Sequence, residues 1–422
     1  MVILGKDSYF NNSYKQNANN LVIGAPGTGK SRSFVIPNLC EASEESVVVL
    51  DAKGEIYDIT HVMMESKGYK VKVLDFDTPE NTQVYYNPLS YCKNEEDVIK
   101  LSSIITSDQK ERTVDAFWPL ASQLLNNALV SFLITYRPEN QRTLSSVMKL
   151  LGAANINEND PDSADPLNKL DAIFAETLSM DPTSWSCMQY NLMRKGAGRT
   201  QKSIVISLIV AFCAFMTPAV SKLTSKDTVD IRSLGSEKTA LYVKCSDVDR
   251  SKDKLVSMFF MQLFQELFRV ADSQPTHSLQ RSVHVILDDM GSNVKIPNLD
   301  CIIASARGRN ISLSLILQSI GQLKKNYADY TSILNSCNNI LFLGGNDVET
   351  CKEMSLRLNK PLEDVLYKSK DKVYIFKQGA QKPIVTDIYN LKEHRYYSLL
   401  QDNWRSDTDA NTKFKHEREE CL

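Results

Sequence analysis

Several features that would assign a sequence to a class at once are missing from this chain of 422 residues. Its nine cysteines occur singly, with no CxxC pair and no Cys/His grouping at zinc spacing, which predicts reduced thiols and no structural metal. The formal net charge is only −2, so a wholly basic surface that coats nucleic acid is excluded. The longest apolar stretch, residues 203–215, is shorter than the roughly 20 residues that cross a bilayer. It predicts a buried helix, and we expect the chain as given to be soluble, without a membrane span.

A glycine loop near the start of the chain is the strongest positive signal. Residues 21–31 read LVIGAPGTGKS, an apolar strand followed by a G-x-x-x-x-G-K-[ST] loop, and a helix comes next. In this spacing backbone N–H groups face phosphate oxygens, the lysine reaches the β- and γ-phosphates, and the serine hydroxyl joins a Mg²⁺ shell. The residues predicted to bind ATP with Mg²⁺ are Gly24, Ala25, Pro26, Gly27, Thr28, Gly29, Lys30 and Ser31.

A second apolar strand has an acidic end that suits this loop. Residues 283–289 read VHVILDD, and an aspartate at a strand's carboxyl end beside the loop is what Mg²⁺ coordination requires. Asp288 is the predicted Mg²⁺ ligand and Asp289 the residue that polarises the attacking water. Glu55 is a rival for that second role, because it also follows a buried strand, in LDAKGE. The sequence leaves the choice between Asp289 and Glu55 open.

The long separation of the two motifs predicts an insertion. The loop lysine is residue 30 and the strand-end aspartate residue 288, whereas compact domains of this type place them roughly 50–120 residues apart. Helical periodicity dominates residues 95–198, and βα alternation lies on either side. We predict an α/β fold in which residues 1–94 and 199–395 form a P-loop domain with a mostly parallel sheet. Residues 95–198 would be an all-α insertion and residues 396–422 a polar C-terminal tail.

After the insertion, the pattern predicts alternating helices and strands. Such βα units build a parallel sheet with helices on both faces. Residues 372–386 predict a hairpin at the sheet edge with Gly379 in its turn. The predicted strands are 239–245, 283–288, 312–317 and 339–344, and the predicted helices are 200–216, 252–272, 298–309 and about 327–336.

An ordered set of segments resembles the TraG/TraD-type coupling proteins of type IV secretion and conjugation. The segments are APGTGKS, LDAKGEIYDIT, YYNPL at residues 85–89, AFW at 116–118, VILDDM and ASARGRNISLSLILQS at 304–319. The resemblance runs from about residue 21 to residue 386 and includes the helical insertion. The chain departs from the family in starting almost at the motor, without transmembrane helices, and in having Asp289 where glutamate is usual.

This resemblance implies a RecA-like motor that forms a ring of six around a channel, a homo-hexamer when active. It implies ATP-driven passage of relaxase-bound single-stranded DNA into a type IV secretion channel, with that channel's ATPases and inner-membrane components as partners. Its place would be the cytoplasmic face of the cell membrane. By the same resemblance, Arg307 is the arginine offered to a neighbouring subunit's γ-phosphate, with Arg309 as the fallback, and Gln318 is the residue that senses that phosphate.

A basic loop is the predicted contact with a threaded DNA strand. The segment RKGAGRTQK, residues 194–202, carries the basic residues Arg194, Lys195, Arg199 and Lys202. Its glycines predict a flexible loop that leads from the helical insertion back to the P-loop domain. Cations there would meet phosphates without reading bases. Two alternatives remain: a receptor that binds ATP and cargo but moves nothing, and a DNA translocase of the FtsK/HerA kind. The helical insertion and DAKGE favour a coupling protein over the second of these.

Overall fold

The computed structural model describes residues 1–10, 17–107, 117–154, 167–196 and 198–401. The chain divides into two compact units. Unit 1 consists of Met1–Asp75, Ile231–Arg250 and Phe264–Leu422, and unit 2 of Phe76–Asp230 and Ser251–Leu263. Unit 2 therefore contains more of the chain than the insertion at residues 95–198 that the sequence predicts, because residues 76–94 and 199–230 also belong to it.

A nine-stranded sheet forms the centre of unit 1. The strands are β1 Val2–Gly5, β2 Ser8–Phe10, β3 Asn20–Gly24, β4 Ser46–Asp51, β5 Lys70–Asp75, β6 Thr239–Lys244, β7 Val283–Leu287, β8 Ile311–Leu317, β9 Asn339–Gly344, β10 Lys372–Lys377 and β11 Ile384–Asp387. The sheet order is β11-β10-β9-β3-β8-β7-β4-β6-β5, and β1 and β2 form a separate hairpin. Neighbouring strands are parallel, except that β10 is antiparallel to β9 and β11.

Helices cover the sheet of unit 1 and make up most of unit 2. In chain order they are α1 Ile36–Glu41, α2 Glu55–Ser66, α3 Glu95–Ile105, α4 Phe117–Tyr136, α5 Leu144–Leu151, α6 Asn168–Met180, α7 Trp185–Arg194, α8 Gly198–Phe212, α9 Pro218–Leu223, α10 Asp253–Asp272, α11 Met290–Asn293, α12 Leu299–Ala306, α13 Ile320–Asn326, α14 Tyr330–Asn335, α15 Val348–Leu358 and α16 Leu362–Leu366. Every residue of β3, β4, β7 and β8 is buried, which explains their nearly continuous apolar sequences.

The order of the parallel strands brings distant parts of the sequence to one edge of the sheet. β3 pairs with β8, β8 with β7, and β7 with β4. Because these four strands run in the same direction, their carboxyl ends at Gly24, Leu317, Leu287 and Asp51 lie at the same edge. That edge is where a ligand site is expected in an open α/β sheet.

The structure confirms the α/β fold class and most of the predicted elements. The four predicted strands after the insertion match β6–β9 to within one residue at each end. The predicted hairpin is β10 and β11, and Gly379 has a φ of +79° in their connection. Helix α13 was not predicted, because Ile320 and Leu323 are its only buried residues and give too little periodicity.

Among the described residues of unit 2, all regular secondary structure is helical. Its 20-residue helix α4 packs against α3, α7 and α8. The apolar stretch 203–215 forms most of α8, but that helix is amphipathic, since Leu208 and Phe212 are buried whereas Ile206 and Val210 are exposed. Among the described residues, no helix has the length and apolar character needed to cross a bilayer.

The C-terminal tail drawn from the sequence at residues 396–422 starts too early. Leu400 is 2% exposed and belongs to the main core cluster of unit 1, and Tyr396 and Tyr397 pack against the same cluster. Burial of these apolar side chains ties the segment to unit 1. Residues 402–422 lie outside the described part of the chain.

Candidate nucleotide site

The predicted phosphate loop leaves the carboxyl end of β3 and runs into a helical turn. Gly27 and Gly29 have φ of +78° and +84°, left-handed conformations that glycine adopts without strain. The next turn, Ser31–Val35, is π-helical, and the Ser33 N–H donates to the Gly29 carbonyl at 2.7 Å. A loop of this shape before a helix start presents unpaired backbone N–H groups, which are suited to phosphate oxygens.

The Lys30 side chain folds back over its own loop. Lys30 is only 7% exposed, and its Nζ donates to the Gly24 carbonyl at 2.9 Å and lies 3.8 Å from Asp289 Oδ1. These oxygens stabilise a buried ammonium group that would otherwise be costly to desolvate. A bound triphosphate would take their place as the partner of Lys30.

Asp288 and Ser31 meet across the cleft between β7 and the loop. Ser31 Oγ donates to Asp288 Oδ2 at 2.9 Å, and Asp288 is 9% exposed. Burial, with the negative charge of Asp289 as the second cause, raises the pKa of Asp288 to about 7. Asp288 Oδ1 is buried without a hydrogen-bond partner in the described residues. A Mg²⁺ ion would satisfy that oxygen, and hard oxygen ligands are the ones it prefers, so this pair of residues fits the ion.

Asp289 projects toward the same place. Its backbone is left-handed, with a φ of +49°, and its side chain is 33% exposed. Besides the contact with Lys30, Asp289 Oδ1 accepts a hydrogen bond from Gln318 Nε2 at 3.4 Å. The carboxylate therefore lies between a cation and an amide donor, each contributed by a different strand-end loop.

A cavity of about 560 Å³ lies among these groups. The rival bases Asp289 and Glu55 both line it, so the geometry keeps both available to a bound nucleotide. Asp51 and Asp247 also line it, and sequence reasoning gave neither a role. The predicted binding and catalytic residues that face this cavity are Pro26, Gly27, Gly29, Lys30, Ser31, Glu55, Asp288, Asp289 and Gln318.

Asp51 fixes the start of helix α2. It is 2% exposed, its Oδ2 accepts the Tyr57 N–H at 2.8 Å, and burial raises its pKa to about 6. A carboxylate bonded to N–H groups at a helix start satisfies donors that have no partner inside the helix. Asp51 thereby sets the position of Glu55, the first residue of α2.

Gln322 is a further residue of the site that sequence reasoning missed. Its Oε1 accepts the Gln318 N–H at 2.9 Å. A Cβ atom added at Gly291 would lie 2.5 Å from the same Oε1, so the backbone just after Asp289 packs directly on Gln322. Gln322 thus joins the end of β8 to the turn that carries Asp289. Its only sequence signal is the four-residue spacing from Gln318.

The two candidate arginines differ in their surroundings. Arg309 donates from Nε to Asp272 Oδ1 at 2.8 Å and from Nη2 to Asp272 Oδ2 at 3.0 Å, and it lies over the Phe268 ring. Arg307 is exposed, and the described residues offer its guanidinium no ion pair. Arg307 precedes β8 and Gln318 follows it, so a seven-residue strand, roughly 20 Å long, separates them. Arg307 is therefore far from the nucleotide cavity of its own chain.

The basic segment at residues 194–202 begins with Arg194, the last residue of α7, whose side chain has partners within unit 2. Arg194 Nη2 donates to Asp171 Oδ2 at 2.7 Å, and Gln201 Nε2 donates to the Arg194 carbonyl at 3.0 Å. Lys195 is exposed and Lys202 half-buried, whereas the side chain of Arg199 lies outside the described part of the structure. Of the four predicted DNA contacts, Arg194 is engaged within unit 2.

Comparison with known proteins gives matches in sequence and in structure. The family model described as "Type IV secretory system Conjugative DNA transfer" matches residues 2–361. The conjugal transfer protein TraG of Escherichia coli is 23% identical in an alignment of 353 residues that covers 78% of this chain and 53% of TraG. The chain thus spans about half the length of that curated relative.

Solved structures share the fold. The plasmid coupling protein TrwB in complex with ADP and Mg²⁺ superposes with a TM-score of 0.64 at 16% identity, covering 92% of this chain and 91% of TrwB. VirB4 of Thermoanaerobacter pseudethanolicus gives a TM-score of 0.54 at 13% identity, covering 94% of this chain and 97% of VirB4. With the family model matching most of the sequence, the chain belongs to the type IV secretory system conjugative DNA transfer family, the coupling proteins of conjugation.

Proposed function

We propose that this chain is an ATPase that drives single-stranded DNA with its bound relaxase into a type IV secretion channel. The observation that carries the ATPase part is the contact of Ser31 Oγ with Asp288 Oδ2 at 2.9 Å, beside the unsatisfied Asp288 Oδ1. This hydroxyl and this carboxylate lie next to the phosphate loop and would be suitable ligands for Mg²⁺, which supports the proposal. The DNA part rests on membership of the conjugative DNA transfer family.

Six side chains that line the cavity have a role in this proposal. Lys30 exchanges its contacts with Gly24 and Asp289 for the β- and γ-phosphates. Ser31 and Asp288 hold Mg²⁺, which, when bound, neutralises charge on the phosphates. Released from Lys30, Asp289 is free to polarise water, and Gln318 holds its carboxylate in place. Glu55, which lines the same cavity, is the alternative base.

Hydrolysis in this proposal requires more than one chain. The exposed Arg307 is separated from its own cavity by the length of β8. We therefore expect Arg307 to act on the nucleotide of a neighbouring subunit, which supports an oligomer as the active form. The proposed homo-hexameric ring is what the resemblance to coupling proteins implies. An arginine supplied across an interface stabilises charge on the transferring phosphoryl group.

The remaining partners follow from the same proposal. Lys195, Arg199 and Lys202 contact the phosphates of the threaded strand, with salt-sensitive and sequence-tolerant affinity. The ATPases and inner-membrane components of the secretion channel receive the cargo at the cytoplasmic face of the membrane.

Turnover of ATP by the purified chain tests this function. We expect turnover to rise with protein concentration and to increase further with single-stranded DNA, because assembly brings Arg307 to the neighbouring site. Double-stranded DNA of equal length is the control, and stronger stimulation by it would favour an FtsK/HerA-like translocase. Background turnover in an assembled ring bound to single-stranded DNA would favour a receptor that binds ATP and cargo without moving them.

A further inference from the structure

The turn between strand β4 and helix α2 presents a lysine to the nucleotide cavity. In residues 51–55, Asp51 and Gly54 are buried, whereas Lys53 and Glu55 are exposed and both line the cavity. Glu55 is one of the two rival bases, but the proposed function assigns no role to Lys53. One short turn therefore brings a cation and a candidate base to the same place.

Buried groups hold this turn in its conformation. The Asp51 carboxylate accepts the backbone N–H groups of Lys53 and Gly54. Gly54 has a φ of +76°, and a Cβ atom added there would collide with the side chain of Lys244, the last residue of β6. Because the backbone is bonded on one side and packed on the other, Lys53 is held beside the cavity and only its side chain can move.

The cations and carboxylates of the cavity come from different parts of the chain. Two of the three cations, Lys30 and Arg32, belong to the phosphate loop and the turn that follows it. The third is Lys53. In the part of the chain that the structure describes, its ammonium group takes part in no hydrogen bond or ion pair, so it is available to a bound anion. The carboxylates that line the cavity are Asp51, Glu55, Asp247, Asp288 and Asp289.

The order of the strands indicates which part of a nucleotide Lys53 can reach. The phosphate loop leaves β3, Asp288 and Asp289 follow β7, and the turn with Lys53 follows β4, the next strand beyond β7. Neighbouring strands lie about 4.8 Å apart, so the end of β4 is roughly 14 Å from the end of β3. The attacking water must lie beside the terminal phosphate, so a base at Asp289 or Glu55 requires that phosphate at this far side. Lys53 shares the turn of Glu55 and is therefore next to the same phosphate.

We propose that Lys53 binds the terminal phosphate of the bound nucleotide and is the residue by which the site distinguishes ATP from ADP. The inference rests on the proposed ATPase function and adds to it a contact that a single chain supplies, unlike that of Arg307. A wall with only the carboxylates of Asp51, Glu55 and Asp247 would repel a phosphate, and the ammonium group offsets that repulsion. ADP has no group at this place, so its affinity does not depend on Lys53.

The affinities of the full chain for two ligands test this contact: Mg-ADP, and Mg²⁺ with adenylyl imidodiphosphate, an ATP analogue that is not hydrolysed. Calorimetry at protein concentrations at which the chain is monomeric excludes a contribution from Arg307 of a neighbour. Lys53→Met removes one charge-assisted contact, so it should weaken the analogue roughly tenfold and leave Mg-ADP unchanged. Lys53→Arg, which keeps the charge, should restore most of the affinity for the analogue.

Two other lysines serve as matched controls. Lys70→Met removes an exposed charge that does not line the cavity, and it should change neither affinity. Lys244→Met loosens the packing under Gly54 but leaves every cation that lines the cavity in place. It should leave the ratio of the two affinities unchanged.

The results that overturn the role of Lys53 are distinct from those that overturn the ATPase. Lys53→Met might as well be Lys70→Met if it weakened both ligands equally or weakened neither, and the proposed contact would then be excluded while the phosphate loop stood. A ratio altered as strongly by Lys244→Met would assign the effect to the shape of the turn and exclude the contact too. If the unaltered chain bound neither ligand, the nucleotide site itself would be excluded, and the role of Lys53 with it.

Discussion

The two ends of strand β8 differ in whether their functional side chains have partners within the same chain. At its carboxyl end, Gln318 contacts Asp289, which lies 3.8 Å from Lys30, and all three line one cavity. At its amino end, Arg309 is paired with Asp272, whereas Arg307 is exposed. At the carboxyl end of β8 the functional side chains contact one another, whereas at the amino end the Arg307 side chain is exposed to solvent.

This difference predicts that one chain is enough for nucleotide binding, whereas ATP turnover requires a second chain. In the proposed function, the groups around the carboxyl end are sufficient for a single chain to bind Mg²⁺ and phosphate. The amino end offers a charge that its own cavity cannot use, because the strand holds the two apart. Substitutions at the two ends should therefore differ in their dependence on assembly, and the following experiments test this from the largest expected effect to the smallest.

Lys30→Ala should reduce ATP turnover to background and weaken Mg-ATP binding even in the monomer. The buried cation next to the phosphates is lost, and no other lysine or arginine in the described residues contacts the Gly24 carbonyl. Calorimetric binding and steady-state turnover measure the two effects. Lys324→Ala, which breaks an exposed ion pair with Glu349, is the control and should change neither turnover nor Mg-ATP binding. Normal turnover by Lys30→Ala would remove the loop from the mechanism.

Arg307→Ala should reduce turnover of the oligomer by roughly a thousandfold while monomer binding of Mg-ATP stays unchanged. Mixing Arg307→Ala with Lys30→Ala subunits should restore part of the activity, because an intact Arg307 then meets an intact loop across some interfaces. Turnover of the mixture over a range of ratios is the measurement. Lack of any recovery in mixed rings would argue against action between subunits.

Arg309→Ala is the matched control for Arg307, only two residues away. It should lower the melting temperature slightly through loss of the Asp272 pair and the Phe268 contact, with turnover nearly unchanged. A reversed pattern, with turnover lost in Arg309→Ala alone, would exchange the roles of the two arginines.

Asp289→Asn and Glu55→Gln should separate the rival bases. Neutralising the residue that polarises water should decrease kcat by about a hundredfold and change the affinity for ATP little. We expect Asp289 to show this loss, because it is the one already in contact with Lys30 and Gln318. A larger loss in Glu55→Gln, measured in the same assembled state, would assign the role to Glu55 instead.

Among the substitutions expected to reduce turnover, Gln322→Met should give the smallest effect, about a tenfold decrease in kcat with an unchanged KM. The substitution keeps the volume but removes the oxygen that accepts the Gln318 N–H and packs on Gly291. Gln322 acts through Gln318 and Asp289, so it is a positioning residue. Lys325→Met on the same helix is the control. An increased KM with normal kcat would mean that Gln322 supports the binding of ATP rather than the positioning of Gln318 and Asp289 for hydrolysis.

Residues in contiguous motifs were the easiest to predict. Gly24–Ser31 and Asp288 are recognised from local spacing at a strand end, and the strands β6–β9 from their apolar runs. Asp247 and Gln322 were missed because no motif surrounds them, and they reach the site only through the order of the strands. The limits of the helical unit were misjudged for a similar reason: residues 76–94 and 199–230 lack a boundary signal but pack with it.

By itself, the sequence determined the phosphate loop, the acidic strand end and the α/β fold, because each is set by local conformation and apolar periodicity. Only the tertiary structure decided which groups share the cavity and which cannot reach it. Sequence places Arg307 eleven residues before Gln318, within reach of a flexible chain. The extended β8 between them converts that short interval into a separation of roughly 20 Å, which supports the proposal that the arginine acts on another chain.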